Sequence, residues 1–238
     1  MATLDRSLLA NVPIFDAYGP RQLDDILASA RAIRRPRGAI LFEQGEEAVS
    51  FFLVLHGRLR AAKLTPAGQQ VVVRHVGPRE FCGLAAAIGK TTYPATTQAV
   101  ADSVMLAWPS SIWPDLSRKY PGLVEAMLQV VGERLLDAHS RVVEMATEAV
   151  ERRVAHALLR LAQQAGKPVK QGVEIDFPIS RQDVAEMAGT TLHTVSRVFS
   201  AWESRGLIEA GRQRVVIRDP HGLYALAEGA ASTQAPSR

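Results

Sequence analysis

One cysteine, Cys82, stands among 238 residues. A single thiol excludes an internal disulfide framework, and it excludes an all-cysteine metal or iron–sulfur site within one chain. No apolar run approaches ~18 residues, so no transmembrane helix is expected. The first residues, MATLDRSLLANVPIF, lack a basic stretch followed by an apolar core and a small-residue cleavage site. A cytoplasmic protein with no membrane partner is expected. Catalytic signatures are missing too: there is no HExxH, no phosphate-binding glycine loop, no paired-carboxylate motif and no Ser/His/Asp set. An enzyme is not expected. Neither sign of charge dominates. The net charge is +4 and the isoelectric point about 9.5, a mild basic bias that permits nucleic acid but does not argue for it alone.

What is present is a globular composition, 47% hydrophobic and 22% charged, in a length that suits two domains. Residues 4–35 read as helical around a break at Tyr18–Pro20, with Leu23, Ile26, Leu27 and Ala30 on one face. From Pro36 to Trp108 the apolar period changes to two, and glycines punctuate the runs. Strands are expected near Ile40–Glu43, Ser50–His56, Gly57–Leu64, Gln69–Val76, Thr96–Ala99 and Ser103–Pro109. Many short antiparallel strands imply a closed antiparallel β-roll of the jelly-roll type, able to hold a small ligand.

Ser110–Pro121 reads as irregular. After it, Val124, Leu128, Val131, Leu135, Ala138, Val142, Met145 and Ala149 follow one another at alternating spacings of four and three. That regularity is a coiled-coil seam, so a dimerisation helix and a homodimer are expected. A hinge is expected near Ala146–Glu148, with Thr147 capping a helix over Glu148–Gln164. Val173–Phe177 alternates as a short strand.

Ile179–Ile208 carries the sharpest signal. Ser180 is an N-cap type with Asp183 three residues on. Val184, Ala185 and Ala188 form an apolar stripe, and Gly189 supplies a stop that accepts positive φ. Thr190 or Thr191 caps a second helix whose apolar face is Val195, Val198, Phe199 and Trp202. Its other face shows Leu192, His193, Ser196 and Arg197. This is a helix-turn-helix, and the second helix has the form of a DNA-reading helix. A core helical hairpin would explain the stripes but not the glycine turn or the uncharged helix start. Leu207–Ala210 and Arg214–Arg218 read as a β-wing, Leu223–Glu228 as a last short helix, and ASTQAPSR as a disordered-type tail. Between Gly189 and Arg218 stand five arginines (Arg197, Arg205, Arg212, Arg214, Arg218) and two acids (Glu203, Glu209), an excess of three positive charges. Three regions follow: 1–119, a sensing roll with N-terminal helices; 120–147, the dimerisation helix and hinge; and 148–238, a winged helix-turn-helix with its tail. The fold class is α+β.

The chain resembles the cAMP receptor protein / fumarate-nitrate regulator (CRP/FNR) family of bacterial transcription factors from about Leu8 to Asp219. In the roll the resemblance rests on Leu41-Phe42-Glu43-Gln44-Gly45-Glu46, Gly57, Gly68 and Gly77-Pro78-Arg79-Glu80-Phe81-Cys82-Gly83. In the DNA domain it rests on the more specific Ile179-Ser180-Arg181-Gln182-Asp183 and Thr194-Val195-Ser196-Arg197. The resemblance implies a homodimer on a palindromic site with TTG-type half-sites, and RNA polymerase as a partner. It implies that Arg197 pairs with guanine O6 and N7, a contact worth about 1–3 kcal/mol of discrimination. His193 stands where the family usually has Glu, so a departure in half-site sequence is expected. Leu192 can pack on a thymine methyl and Ser196 reach a base edge. Arg181, Thr190, Thr191, Thr194 and Arg214 read as phosphate contacts, which set register and salt dependence.

The roll departs from two branches of the family. The cyclic-nucleotide branch needs Gly-Glu-Leu and an Arg-Ser pair, where this chain has Gly83-Leu84-Ala85 and Tyr93-Pro94-Ala95. A phosphate diester without its arginine leaves a buried charge unpaired, so cAMP is not expected. The oxygen-sensing branch needs a cysteine cluster for an iron–sulfur centre. The apolar segments at Gly83 and Tyr93 and the helix TTLHTVSR look like the nitrogen-oxide-responsive branch, an activator that senses nitric oxide through haem. The effector pocket is then Cys82, Gly83, Leu84, Ala85, Tyr93, Pro94 and Ala95, with His75 or Cys82 as candidate haem ligands. His56, before a turn glycine, reads as a surface residue, and His139 as part of the dimer seam. A regulator with no cofactor, with another small-molecule effector, or set by oxidation of Cys82 remains the alternative.

Overall fold

The computed structural model describes residues 4–229. It divides into two compact units, Met1–Ala138 and His139–Arg238. The tail ASTQAPSR lies outside the described residues.

The first unit opens with two 3-10 turns, Arg6–Leu9 and Pro13–Phe15, and helix α1, Pro20–Ala28. Eight strands follow: β1 Arg31–Arg35, β2 Ile40–Phe42, β3 Ser50–His56, β4 Leu59–Leu64, β5 Gln70–Val76, β6 Phe81–Cys82, β7 Thr96–Ala99 and β8 Ser103–Pro109. They form two antiparallel four-stranded sheets, β1-β8-β3-β6 and β2-β7-β4-β5. The helices α2, Trp113–Lys119, and α3, Pro121–Thr147, complete the sequence of elements.

Strand β3 explains why the roll and its helices hold together. Its run Ser50–Val54 is buried throughout, because its two faces feed two different cores. Phe51 and Leu53 point to a cluster with Ile26, Leu27, Leu106, Trp108, Leu123 and Met127 of the helical side. Phe52 and Val54 point into the roll, with Phe42, Leu59, Val76, Cys82, Tyr93 and Met105. Trp108 packs flat against Phe51, ring centroids 5.5 Å apart, and its indole N–H donates to the carbonyl of Ile26 at 2.9 Å.

Four expectations are corrected. Residues 31–35 form a strand, not a helical end. Arg31–Arg35 pairs antiparallel with β8, Ile33 opposite Met105. Four of its five residues are Arg or Ala, so only long-range pairing reveals it. Residues 6–15 form short 3-10 turns. Within 110–121, Trp113–Lys119 is helical, started by Pro114 in its first turn. Thr147 caps nothing: its hydroxyl donates back to the carbonyl of Val143 at 2.8 Å. Ala149, in extended backbone, stands at the N-cap instead.

The second unit holds the end of α3, then α4 (Val150–Ala165), β9 (Gly166–Val169), β10 (Gly172–Ile175), α5 (Arg181–Ala188), α6 (Leu192–Ser204), β11 (Ile208–Gly211), β12 (Arg214–Ile217) and α7 (Pro220–Ala227). Its strands make one antiparallel sheet, β11-β12-β10-β9. Gly166–Val169, expected only as the end of a helix, is thus a sheet edge paired with β10.

Candidate nucleic-acid interface

Helix α5 begins in a complete capping box. The Ser180 hydroxyl accepts from the backbone N–H of Asp183 at 3.1 Å, and the Asp183 carboxylate accepts from the Ser180 N–H at 2.9 Å. Val184, Ala185, Met187 and Ala188 are buried, and Gly189 ends the helix at φ +60°. A side chain there is strained, so the turn favours glycine. Thr191 then caps α6, its hydroxyl accepting from the Thr194 N–H at 3.2 Å.

Helix α6 stands on a fully buried base of Val195, Phe199 and Trp202. The Trp202 indole N–H donates to the Glu151 carboxylate on α4 at 2.8 Å, which fixes the helix about its own axis. Rotated in this way, α6 leaves Leu192, His193 and Arg197 exposed and Ser196 half-buried. Among the described residues no acid is bonded to Arg197. The four residues expected to read bases therefore share one outward face.

The expected phosphate contacts divide. Thr191 is occupied as a cap, and its hydroxyl lies 2.9 Å from that of Thr194. Thr190 is half-buried. Arg181 lies over the Phe199 ring, 5.9 Å from its centroid, and 4.0 Å from Glu203. Arg214 is committed to the protein. Its Nε and Nη2 donate to Glu174 at 2.9 and 3.0 Å, and its Nη1 donates to Glu209 at 3.0 Å. That bidentate bond holds the Glu174 carboxyl below its ordinary range. Arg212 at the turn of the wing is exposed, and no ion pair engages it among the described residues. The salt dependence of DNA binding should separate the two. Arg212→Ala is expected to flatten the slope of log K against log salt by about 0.9 per protomer, and Arg214→Ala to change it by less. Equal changes would place both arginines at phosphate.

In the roll the expected effector residues also divide. Cys82, Ala85 and Tyr93 lie in the roll core, Leu84 packs on the helical side, and Pro94 is exposed. Tyr93 stacks on Phe42 at 3.8 Å between centroids. Its hydroxyl donates to the carbonyl of Ser50 at 2.7 Å and accepts the Ser50 N–H at 3.1 Å. Burial pushes the Cys82 thiol up to about 12, so at neutral pH it stays protonated. His75 is buried on β5 and His56 is exposed. With Phe42, Phe52, Leu59, Tyr93 and Met105 filling the interior, these residues do not fit a haem. The thiol gives a pH test. A group whose folded pKa is raised contributes stability below its unfolded value and loses it as pH rises. The window here runs from 9.0 toward about 12. The urea stability of wild type relative to Cys82→Ala is expected to fall by about 1 kcal/mol between about pH 8 and pH 10. An unchanged difference would mean that the thiol ionises in the folded state.

Two arginines escaped the sequence reading. Arg134 of α3 donates to the carbonyl of Phe81 at 2.6 Å, and burial lowers its pKa to about 10. Arg153 of α4 bonds three backbone carbonyls. Neither has a periodic or motif signature.

A roll of two antiparallel sheets, a long helix and a winged helix-turn-helix define a DNA-binding regulator with a ligand-domain roll. Residues 33–120 match the family model of the cyclic nucleotide-binding domain, and residues 152–226 that of the Crp-like helix-turn-helix domain. The transcriptional activator protein FnrA of Stutzerimonas stutzeri is 29% identical over 87% of this chain and 84% of its own. The cyclic AMP receptor protein of Thermus thermophilus is 28% identical over 92% and 98%. The solved structure of FixK2 from Bradyrhizobium japonicum superposes with a TM-score of 0.73 at 21% identity, over 83% of this chain and 96% of that one. The chain belongs to the CRP/FNR transcription regulators. Among the described residues no helix is long and apolar enough to cross a membrane.

Proposed function

We propose that the protein works as a homodimer, each protomer laying α6 in the major groove of one half of a palindromic site. The observation that carries this is the outward face of Leu192, His193, Ser196 and Arg197 on a helix locked from behind by Trp202 and Glu151. Arg197 reads guanine, and His193 shifts the sequence preference next to it. The stripe of Leu128, Leu135, Val142 and Met145, exposed in the single chain, supports the dimer. The roll gates DNA binding, and RNA polymerase is the partner on the promoter.

The relative described as a cyclic AMP receptor protein suggests cAMP, but Leu84-Ala85 and Tyr93-Pro94 supply neither a carboxylate for the ribose hydroxyls nor a guanidinium for the cyclic phosphate. A nitrogen-oxide or redox signal is the proposed input. Haem is not assigned as its carrier, and the filled roll interior favours a regulator without that cofactor. Protein expressed with added haem and exposed to NO should show no Soret band.

Selection from random duplexes tests the DNA reading. The expected result is a two-fold symmetric site with a guanine in each half. Enrichment of no sequence would overturn it.

A further inference from the structure

The last turns of α3 are fastened to α4, and touch the turn of the helix-turn-helix, by contacts within the second unit. Glu144 accepts from Arg160 of α4 at 2.6 Å, with side chains only 15% and 21% exposed. Glu148 accepts from Arg152 at 3.2 Å, and His156 lies 3.3 Å from its other oxygen. The Met145 methyl lies against the turn of the helix pair, 3.4 Å from where a Cβ on Gly189 would stand.

Arg153 ties these pieces together. Its Nη1 donates to the carbonyl of Glu148 at 3.0 Å, just past the end of α3. Its Nε donates to the carbonyl of Ala188 at 3.0 Å, and its Nη2 to that of Gly189 at 3.4 Å. Helix ends leave carbonyls without partners, and a cation there is favoured by the helix dipole. One planar guanidinium therefore serves two helix ends at once. Lysine carries the same charge but has no rigid fork to span three carbonyls.

We propose that Arg153 is a positioning residue that fixes α6 against the end of the dimer helix, and thereby sets the half-site spacing the dimer accepts. The turn at Ala146–Glu148, expected to be a hinge, is instead held shut, and the last turns of α3 move with the DNA unit. The units themselves divide earlier, at Ala138 and His139. Each added base pair shifts a half-site by about 3.4 Å and about a tenth of a turn, so a rigid α3–α6 connection makes spacing decisive. This inference rests on the paired reading of DNA above.

The test uses the full-length protein and the palindrome obtained by selection, with one base pair inserted or removed between its halves. Wild type is expected to lose about 30-fold or more in affinity on either change, and Arg153→Lys about 5-fold or less. Arg153→Lys should keep the wild-type preference for guanine in each half, which Arg197 governs. Glu144→Gln, which breaks only the pair with Arg160, should fall between the two and decides the matter if Arg153→Lys does not fold. A folded Arg153→Lys protein with the wild-type spacing penalty, or wild type indifferent to spacing, overturns this inference alone. Failure of wild type to bind any palindrome overturns the DNA reading and this inference with it.

Discussion

Arg197→Ala is expected to remove discrimination at one guanine of each half-site while leaving binding to random DNA nearly unchanged. Arg197 is exposed on α6 one turn beyond His193, and among the described residues no carboxylate holds it back. Its guanidinium is free to make the bidentate contact that only guanine offers in the major groove, worth about 1–3 kcal/mol. A symmetric dimer makes the contact twice, so the specific site should weaken by roughly 30-fold to 10⁴-fold. Non-specific binding depends on phosphate charge and changes by one cation per protomer. Anisotropy titrations of the selected site and of a scrambled duplex, at one salt concentration, read both. Equal loss on the two duplexes would make Arg197 a phosphate contact and move base reading elsewhere on the helix. The fold should survive the change, because the packing of α6 rests on Val195, Phe199 and Trp202 instead.

Leu135→Asp should give a folded monomer that has lost the palindrome. Leu135 is 69% exposed in the single chain, with Leu128 and Val142 each at 63% one heptad away on either side. Apolar side chains in such a row have a use only against another surface, and the seam spacing matches a second α3. Two carboxylates facing each other across that seam repel and lose water together. Sedimentation should show the dimer replaced by monomer at micromolar concentration. Affinity for the palindrome should fall by about 100-fold or more, because the second half-site no longer binds at a raised effective concentration. The melting temperature of the separated chain tests whether the core is intact, since Leu123 and Met127 on the other side of α3 are buried in it. A Leu135→Asp protein that stays dimeric would show that the seam is not the interface.

The residues made some of this legible and hid the rest for identifiable reasons. The helix pair was readable because Val195, Phe199 and Trp202 repeat at helical spacing, and because glycine is the residue best suited to position 189 with φ at +60°. Strands β3 and β8 were readable because both are buried apolar runs. Strand β1 was not, since RAIRR offers one large apolar residue and its identity comes from Ser103–Ala107, some seventy residues later. At the candidate interface, residue types alone picked out the outward face of α6. They did not show that Arg214 answers to Glu174 and Glu209, because that bond joins β10, β11 and β12 across forty residues. In the roll, the segment from Cys82 to Ala85 was read as one pocket wall. It alternates sides, sending Leu84 to one core and Ala85 to the other.

The bonds of Arg214 have a thermodynamic consequence for recognition. Strands β10, β11 and β12 are cross-tied before any nucleic acid arrives, so the wing has little left to order on contact. Segments that fold as they bind announce it through a large negative heat-capacity change and an entropic penalty. This wing should contribute neither, and association at the backbone should carry the signature of a preformed surface releasing counterions into solution.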